Sequence, residues 1–427
     1  MIIGGPARPL ASIERKFRKR MLMHALVLGA GVVGVTTAYY LSQHGCRVTV
    51  VDRAGEVADE ASYANGGQLS YTFTDALARP SFLPKLPGLF FGRQPGWRVR
   101  LEPHLVPWGL SFLAQCTTRR AEANTLAVLE TALRSAVLME ELCQATNIEF
   151  GLRPAGKLVL LSDEEEVRDA EEATRLKSGY GSDATVVSVD EAVRLEPAVA
   201  RMDASTVAAI YSRHDEVADS KSFAVGLRRW LEASADVTFR MNTAVGELVL
   251  DRGRAVGVRL GDDTETADAI CVCMGAWSNP ILRSAGVNPK IYPVRGYSVT
   301  LPPGSAAPSV SVTALKYKMV YSRINGSVRI AGFADFAGFD KSADERRTQD
   351  LLDLARSFAP EAANYDVPDA QRWGGFRPMT PDGRPRVGPT RVPGLFTNTG
   401  HGTLGWTLAC ASSFDAAQAM AGPERKH

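Results

Sequence analysis

An apolar run at residues 25–28 breaks into Gly29-Ala30-Gly31-Val32-Val33-Gly34, continues as a helical stretch to Gln43, and resumes as a second apolar run ending on Asp52. A chain patterned in this way folds as strand, tight turn, helix and parallel strand, with a dinucleotide held across the turn. Gly29 and Gly31 let the backbone approach a pyrophosphate. Val32 and Val33 open the helix whose free N–H groups and partial positive charge face the phosphates, and Gly34 lets that helix lie close against the strand. Gly45 closes the helix, and residues 47–51 alternate into a strand that delivers Asp52, followed by Arg53, to a tip where a carboxylate can hold ribose hydroxyls. The pattern serves NAD and FAD alike, so it fixes a class of ligand and leaves the reaction to the rest of the chain.

The length of 427 residues suggests two or three domains. A formal net charge of +2 hides an asymmetry, because six basic residues between Arg8 and Arg20 stand against Glu14 alone, a net of +5 that leaves −3 for the remainder. The body of the protein is therefore not expected to bind nucleic acid. The basic leader, residues 1–23, lacks the apolar core of a secretory signal and is expected to be disordered or untranslated, with Met21 or Met23 as the working start. No run approaches a membrane span of about 18 apolar residues, so the expected location is cytoplasmic, with any association with the inner membrane peripheral. The six cysteines contain no C-x-x-C pair and read as buried thiols; Cys271 and Cys273, two apart in AICVC, should share one face of a strand. The histidines show no ligand spacing, and no metal is expected.

Beyond the first unit, residues 62–68 (SYANGGQ) form a loop, and the prolines between 80 and 110 exclude a long helix. Periodicity predicts helices over 126–142, 163–177, 219–233 and 344–358, and strands at 158–161, 237–241, within 247–260 with a turn at Asp251-Arg252-Gly253, at 268–278 and within 291–335. This order places a nucleotide-binding domain at 24–80, 200–285 and 378–427, and a second domain at 81–199 and 286–377.

Six segments in this order, GAGVVG at 29–34, SYANGGQLS at 62–70, MGAWS at 274–278, PVRGYSVT at 293–300, GFRPMTPDGRPRVG at 375–388 and TGHGTLGWT at 399–407, resemble the flavin-dependent D-amino-acid oxidase superfamily. The resemblance runs from Ala25 to about Ala421 and is greatest to its D-amino acid dehydrogenases. It implies an α/β fold: a Rossmann-like FAD-binding domain of glutathione-reductase type, with an inserted α+β substrate domain on a mainly antiparallel sheet.

The cofactor it implies is FAD. Ser62, Asn65, Gly66, Gly67, Gln68 and Leu69 are then expected beside the ribityl chain and ring, where small residues leave room for a flat heteroaromatic. Gly275 is expected to let the chain pass the pyrophosphate, and Val245 to meet adenine through its backbone. Trp277 belongs to the same segment, though its ring reads more readily as core packing. Gly400, Gly402, Thr403, Leu404, Gly405 and Thr407 precede the last helix, whose positive end would favour negative charge on the N1–C2=O edge of the flavin.

For the substrate, the resemblance points to Arg377 in Gly375-Phe376-Arg377-Pro378. A guanidinium there would hold a carboxylate through two parallel hydrogen bonds. His401, lying between two glycines, is a candidate to face flavin or substrate, and Tyr317 and Tyr321, with Tyr297, are candidates to close the pocket. Arg295 is a second candidate for the carboxylate. The individual stretch 71–100 is expected to shape the side-chain pocket. The expected activity is oxidative deamination of a D-amino acid to a 2-oxo acid and ammonia, hydride passing from Cα to flavin N5 and electrons onward to a quinone or other electron-transfer partner. The alternatives are a dehydrogenase or oxidase of a cyclic or N-methylated amino acid such as D-proline or hydroxy-D-proline. An NAD-linked dehydrogenase and a non-catalytic flavin subunit complete the set.

Overall fold

The computed structural model describes residues 23–90 and 96–422, so the basic leader lies, Met23 excepted, outside the described residues. Strand His24–Leu28 is buried at every position and sits inside a six-stranded sheet. Its order is 386–389, 395–399, 269–272, 24–28, 47–51, 237–240, parallel throughout except at the Arg386–Pro389 edge. Strands covered on both faces need apolar residues at consecutive positions, which ALVL, VTVV and AICV supply.

Helix Val32–Gln43 crosses between the first two strands and is buried over most of its circumference, against helices Ala409–Ala421 and Ser220–Ser234. Its end follows from its sequence. Gly45 adopts φ +73°, its N–H reaches the Ser42 carbonyl at 2.9 Å, and the Cys46 N–H reaches that of Leu41 at 3.1 Å, so the last carbonyls are satisfied by a turn that glycine makes cheaply. Cys271 and Cys273 do share a face, their sulfurs 3.6 Å apart and buried.

A second sheet of nine strands runs 371–379, 292–301, 327–336, 319–324, 311–314, 157–161, 208–212, 185–188, with Trp97–Val99 added beside the end of 327–336. Its pairings are mainly antiparallel; strands Lys157–Leu161 and Ser311–Ala314 run parallel. Helix Asp344–Phe358 covers its outer face, where Tyr321, Ile330 and Leu351 form a separate core.

Two elements cross the expected domain limits. Strand Ala208–Ser212 pairs with Lys157–Leu161 and Thr185–Ser188, so it extends the nine-stranded sheet although it follows residue 200. The 29-residue helix Thr118–Thr146 buries Met139 and Leu142 in the core shared by helices Val32–Gln43 and Ala409–Ala421. Apolar periodicity locates such a helix but carries no record of which sheet it will cover. In the proline-rich stretch, a 3₁₀ turn at Pro80–Lys85 leads to helix Leu105–Leu113, which admits Pro107 within its first turn, where no intrahelical N–H is needed.

Candidate active site

The inner face of the nine-stranded sheet and the C-terminal ends of the parallel strands enclose a cavity of about 800 Å³. At the end formed by the parallel strands, the glycines take the close-packed geometry that their spacing predicts. Gly29 sits at φ +104°, and a Cβ there would lie 2.7 Å from the Cys273 carbonyl oxygen. A Cβ on Gly34 would collide with the Gly29 carbonyl, so Gly34 is the close-packing glycine and lies behind the cavity wall. Gly31, Val32 and Val33 line the cavity, and the N–H groups of Gly31 and Val33 have no acceptor among the described residues. The Val32 N–H donates to Ser62 Oγ at 3.2 Å, which ties the 62–68 loop to the helix start.

Asp52 lines the same end, accepting from the N–H of Ala30 at 2.6 Å and of Ala54 at 2.8 Å. Those two bonds fix the carboxylate and leave further lone pairs for hydroxyl donors. Arg53 and Trp277 stand at the rim, the guanidinium carbon 4.1 Å from the ring centroid, while Trp277 also stacks on Phe339 at 4.0 Å. Val245 and Gly275 complete this end.

In the middle, Asn65, Gly66, Gly67 and Gln68 pass over the large sheet. The Asn65 side chain accepts from the Gly67 N–H at 2.9 Å, and Gln68 donates to Ser311. A Cβ on Gly66 would come within 3.0 Å of Val320, so only a bare backbone leaves the cavity open here. Leu69 is a core residue outside the cavity.

The loop before the last helix supplies the opposite wall: His401, Gly402, Thr403, Leu404 and Gly405 line it. The N–H groups of Thr403 and Gly405 have no acceptor among the described residues, whereas that of Gly402 donates to the Pro378 carbonyl at 3.0 Å. Gly400, at φ +79°, shapes the turn from behind, and Thr407 does not line the cavity but accepts the Ser70 N–H on its hydroxyl at 3.0 Å. The indole N–H of Trp406, a lining residue, is buried without a partner. Free amide donors at both ends, a paired carboxylate and glycines that admit no side chain are the donor set an FAD requires, so the residues fit that group.

Arg377 lines the cavity. Its guanidinium donates to the Phe333 carbonyl at 2.5 Å and weakly toward Gly332 at 3.5 Å, and no carboxylate is bonded to it among the described residues. Burial lowers it to about 10, opposed by the negative charge of Asp335. Two backbone devices hold it. Phe333 is a non-glycine residue at φ +62° beside a register shift in the pairing of strands 292–301 and 327–336, which turns its carbonyl to the guanidinium. Gly296 lies under the guanidinium, and a Cβ there would collide with it.

Strand alternation corrects the other expectations. Arg377 stands opposite Val294 and Arg295 opposite Phe376, so the two arginines project to opposite faces. Arg295 is buried in an ion pair with Asp344, 2.6 Å from Nε, with its guanidinium 4.4 Å from the Phe376 ring centroid, and is not available to a carboxylate.

Tyr317 and Tyr321 are likewise not at the cavity. Tyr317 lies in the turn between strands and donates to Asp203 at 2.7 Å; Tyr321 points to the outer core because Val320 takes the inner face, and donates to the Ala355 carbonyl at 3.2 Å. Tyr297 borders the cavity, but it shares a strand face with Arg295 and its ring belongs to the outer core with Tyr321, Ile330 and Leu351, its hydroxyl donating to Asp335 at 2.9 Å. His401 is buried, bonded to Ser412 Oγ at 2.9 Å, and burial lowers it to about 4, so it is a neutral imidazole.

Sequence reasoning passed over Phe333 and Lys157. Phe333 carries no sequence signal, while Lys157, a lone charge opening the apolar run LVLL, was legible as an oddity. Phe73, Asp75, Ala76, Leu77, Arg79 and Trp97, from the stretch expected to shape the pocket, also line it.

Residues 24–419 match the family described as DAO, FAD dependent oxidoreductase. The chain is 39% identical over 402 residues to D-amino acid dehydrogenase 2 of Ralstonia nicotianae (92% of this chain, 95% of that one), and 37% identical over 410 residues to D-amino acid dehydrogenase of Dechloromonas aromatica (94% and 97%). Among solved structures, glycine oxidase from Geobacillus kaustophilus superposes with a TM-score of 0.74 at 22% identity (94% of this chain, 96% of that one). L-proline dehydrogenase from P. horikoshii superposes at 0.70 and 18% (93% and 92%). The nucleotide end, the glycine cradle and the family match agree, and the chain belongs to the FAD-dependent oxidoreductases of the DAO family.

Proposed function

We propose that this enzyme oxidises D-amino acids to 2-oxo acids and ammonia, with the substrate carboxylate on Arg377, and that a quinone or another non-oxygen partner takes the electrons. The observation that carries the reading is a guanidinium turned to the cavity, tied to two carbonyls and to no carboxylate. A half-buried cation that lines the cavity and is left in that state is completed by an anionic ligand. The names of the relatives at 37–39% identity favour a D-amino acid as that ligand.

FAD, when bound, supplies a two-electron acceptor for the Cα–H of the substrate. Gly29, Gly31, Asp52, the 65–68 loop and the 402–405 turn would hold it. Arg377 fixes one end of the substrate, Phe333 narrows the space around it, and Gly66 and Gly67 keep the opposite wall free of side chains. His401 is neutral and spends a ring nitrogen on Ser412, so it positions and does not exchange a proton with substrate. A substrate bound as the free amine needs no protein base, and water hydrolyses the imine product. Rate then comes from orientation and from an environment that excludes solvent. The two sheets divide the work, one holding the cofactor and the other the substrate.

No helix among the described residues is long and apolar enough to cross a membrane. Support for peripheral association comes from helix Leu105–Leu113. It buries Leu105, Trp108 and Phe112 yet exposes Val106, Leu110 and Leu113, with Leu110 64% exposed. Lys290 reaches Ser111 at its side and Arg120 reaches the Ala114 carbonyl at its end. An apolar stripe flanked by cations suits an anionic lipid surface, where a quinone would be met.

Anaerobic mixing of the purified yellow protein with single D- and L-amino acids tests the reading. Bleaching by D-isomers alone is the expected result. Bleaching only by cyclic or N-methylated amines would replace the substrate class, and bleaching by L-isomers or by none would overturn it.

A further inference from the structure

Lys157 opens strand Lys157–Leu161 and is 2% exposed, yet no carboxylate lies within ion-pair distance of it among the described residues. Its ammonium donates to Ser70 Oγ at 2.8 Å and rests 4.3 Å from the centroid of Phe73. Both residues line the cavity beside Trp406. The Ser70 N–H is bonded to Thr407, so the cation is joined through one residue to the turn that precedes the last helix. Behind it, Asp215 is 1% exposed; one carboxylate oxygen accepts the Tyr71 N–H at 3.0 Å and the other is buried with no partner.

The neighbouring lysine shows what a purely structural lysine does here. Lys177 is equally buried, but it is ion-paired with Asp75 at 2.8 Å and also donates to the Thr72 carbonyl at 2.9 Å. A buried pair normally closes to recover its desolvation cost, as Lys177 and Asp75 do. Lys157 and Asp215 stay apart, each with unused hydrogen-bonding capacity, and Lys157 faces the cavity. Burial accordingly pushes the ammonium down to about 8 and the carboxyl up to about 7, each opposed by the charge of the other, with Lys177, Asp75 and Asp183 as the remaining charges around them.

We propose that Lys157 is an electrostatic positioning residue for the flavin, its positive charge favouring the reduced ring and the Asp215 carboxylate tempering that effect. Reduction by a hydride brings two electrons and one proton, leaving one net negative charge on the ring. A cation held in the cavity wall and joined through Ser70 to the 402–407 turn would add to the stabilisation that the helix end gives that charge. The inference rests on flavin binding, which the family establishes, and is independent of which amine is the substrate.

The test is the midpoint potential of the two-electron flavin couple, measured on the holoenzyme by equilibration with redox dyes, with no amino acid present, across a range of pH that spans the titration of both groups. Lys157→Met should disfavour reduction on the order of tenfold, a shift of ~30 mV to more negative potential. Asp215→Asn should move the potential the other way by a similar amount. An unchanged potential in Lys157→Met, or shifts of the same sign in both variants, overturns the proposal. If Lys157→Met does not fold, Asp215→Asn decides alone, and a potential that is unchanged or more negative refutes it.

Discussion

Gly296 offers a way to move the guanidinium of Arg377 without deleting it. The glycine is on strand Tyr292–Leu301, outside the positive-φ region, so alanine is tolerated by the backbone and gains in local propensity. Its Cβ would nevertheless occupy the space of the guanidinium, which is pinned from the other side by the Phe333 carbonyl. The arginine must shift, and a displacement of ~1 Å at a positioning residue costs about 100-fold in efficiency. Arg377→Lys gives a second estimate. A guanidinium offers a carboxylate two charge-assisted hydrogen bonds and an ammonium replaces them with one, a loss of about 1.5–3 kcal/mol. That corresponds to a rise in the apparent substrate constant of roughly 10- to 150-fold. Steady-state dye reduction with a D-amino acid reads both variants, and flavin absorbance checks that the cofactor stays in place. A constant within about twofold of the parent in both, with flavin retained, would refute the placement of the carboxylate on Arg377.

Gly34→Ala should release FAD, because its Cβ meets the Gly29 carbonyl and forces the helix off the strand; the ratio of flavin to protein absorbance after purification reads the loss. Val106→Glu with Leu110→Glu should abolish co-sedimentation with anionic vesicles while leaving flavin content and amine-dependent bleaching intact, and undiminished sedimentation would remove that helix from the membrane reading. His401 is lowered from 6.5 to about 4 by burial. Its contribution is intact above about 6.5 and is lost as the pH falls toward about 4, because the unfolded chain takes up the proton first. The loss amounts to roughly 3 kcal/mol, so His401→Gln should flatten the acid limb of a stability profile measured by urea unfolding, and an unaltered limb would show the imidazole to be accessible to protons.

What was legible in this chain follows the range of the physics involved. The nucleotide end is a local device: the three glycines, the helix start and Asp52 lie within 24 residues, and each is demanded by sterics that act between neighbours in sequence. Helix Asp344–Phe358 was equally plain because its apolar positions repeat with the turn of the helix. The pocket tyrosines were not plain. Tyr297 and Tyr321 both turn to the outer core, and telling that in advance requires knowing which face of each strand looks inward, which depends on the pairings of 292–301 with 371–379 and of 319–324 with 327–336. A one-residue slip inverts every side chain on a strand, so no pattern within the strand itself can say which of its faces a distant turn will bring to the cavity. Arg377 was singled out through its segment and Arg295 set beside it through the same ambiguity, and it is the antiparallel pairing of Val294 with Arg377 that turns the first to the cavity and the second away from it. The register shift beside Phe333 is what aims its carbonyl at Arg377. The features hardest to read from the chain are therefore those that assemble the substrate end, where residues from strands 371–379, 292–301 and 327–336 must converge, while the cofactor end is written almost continuously.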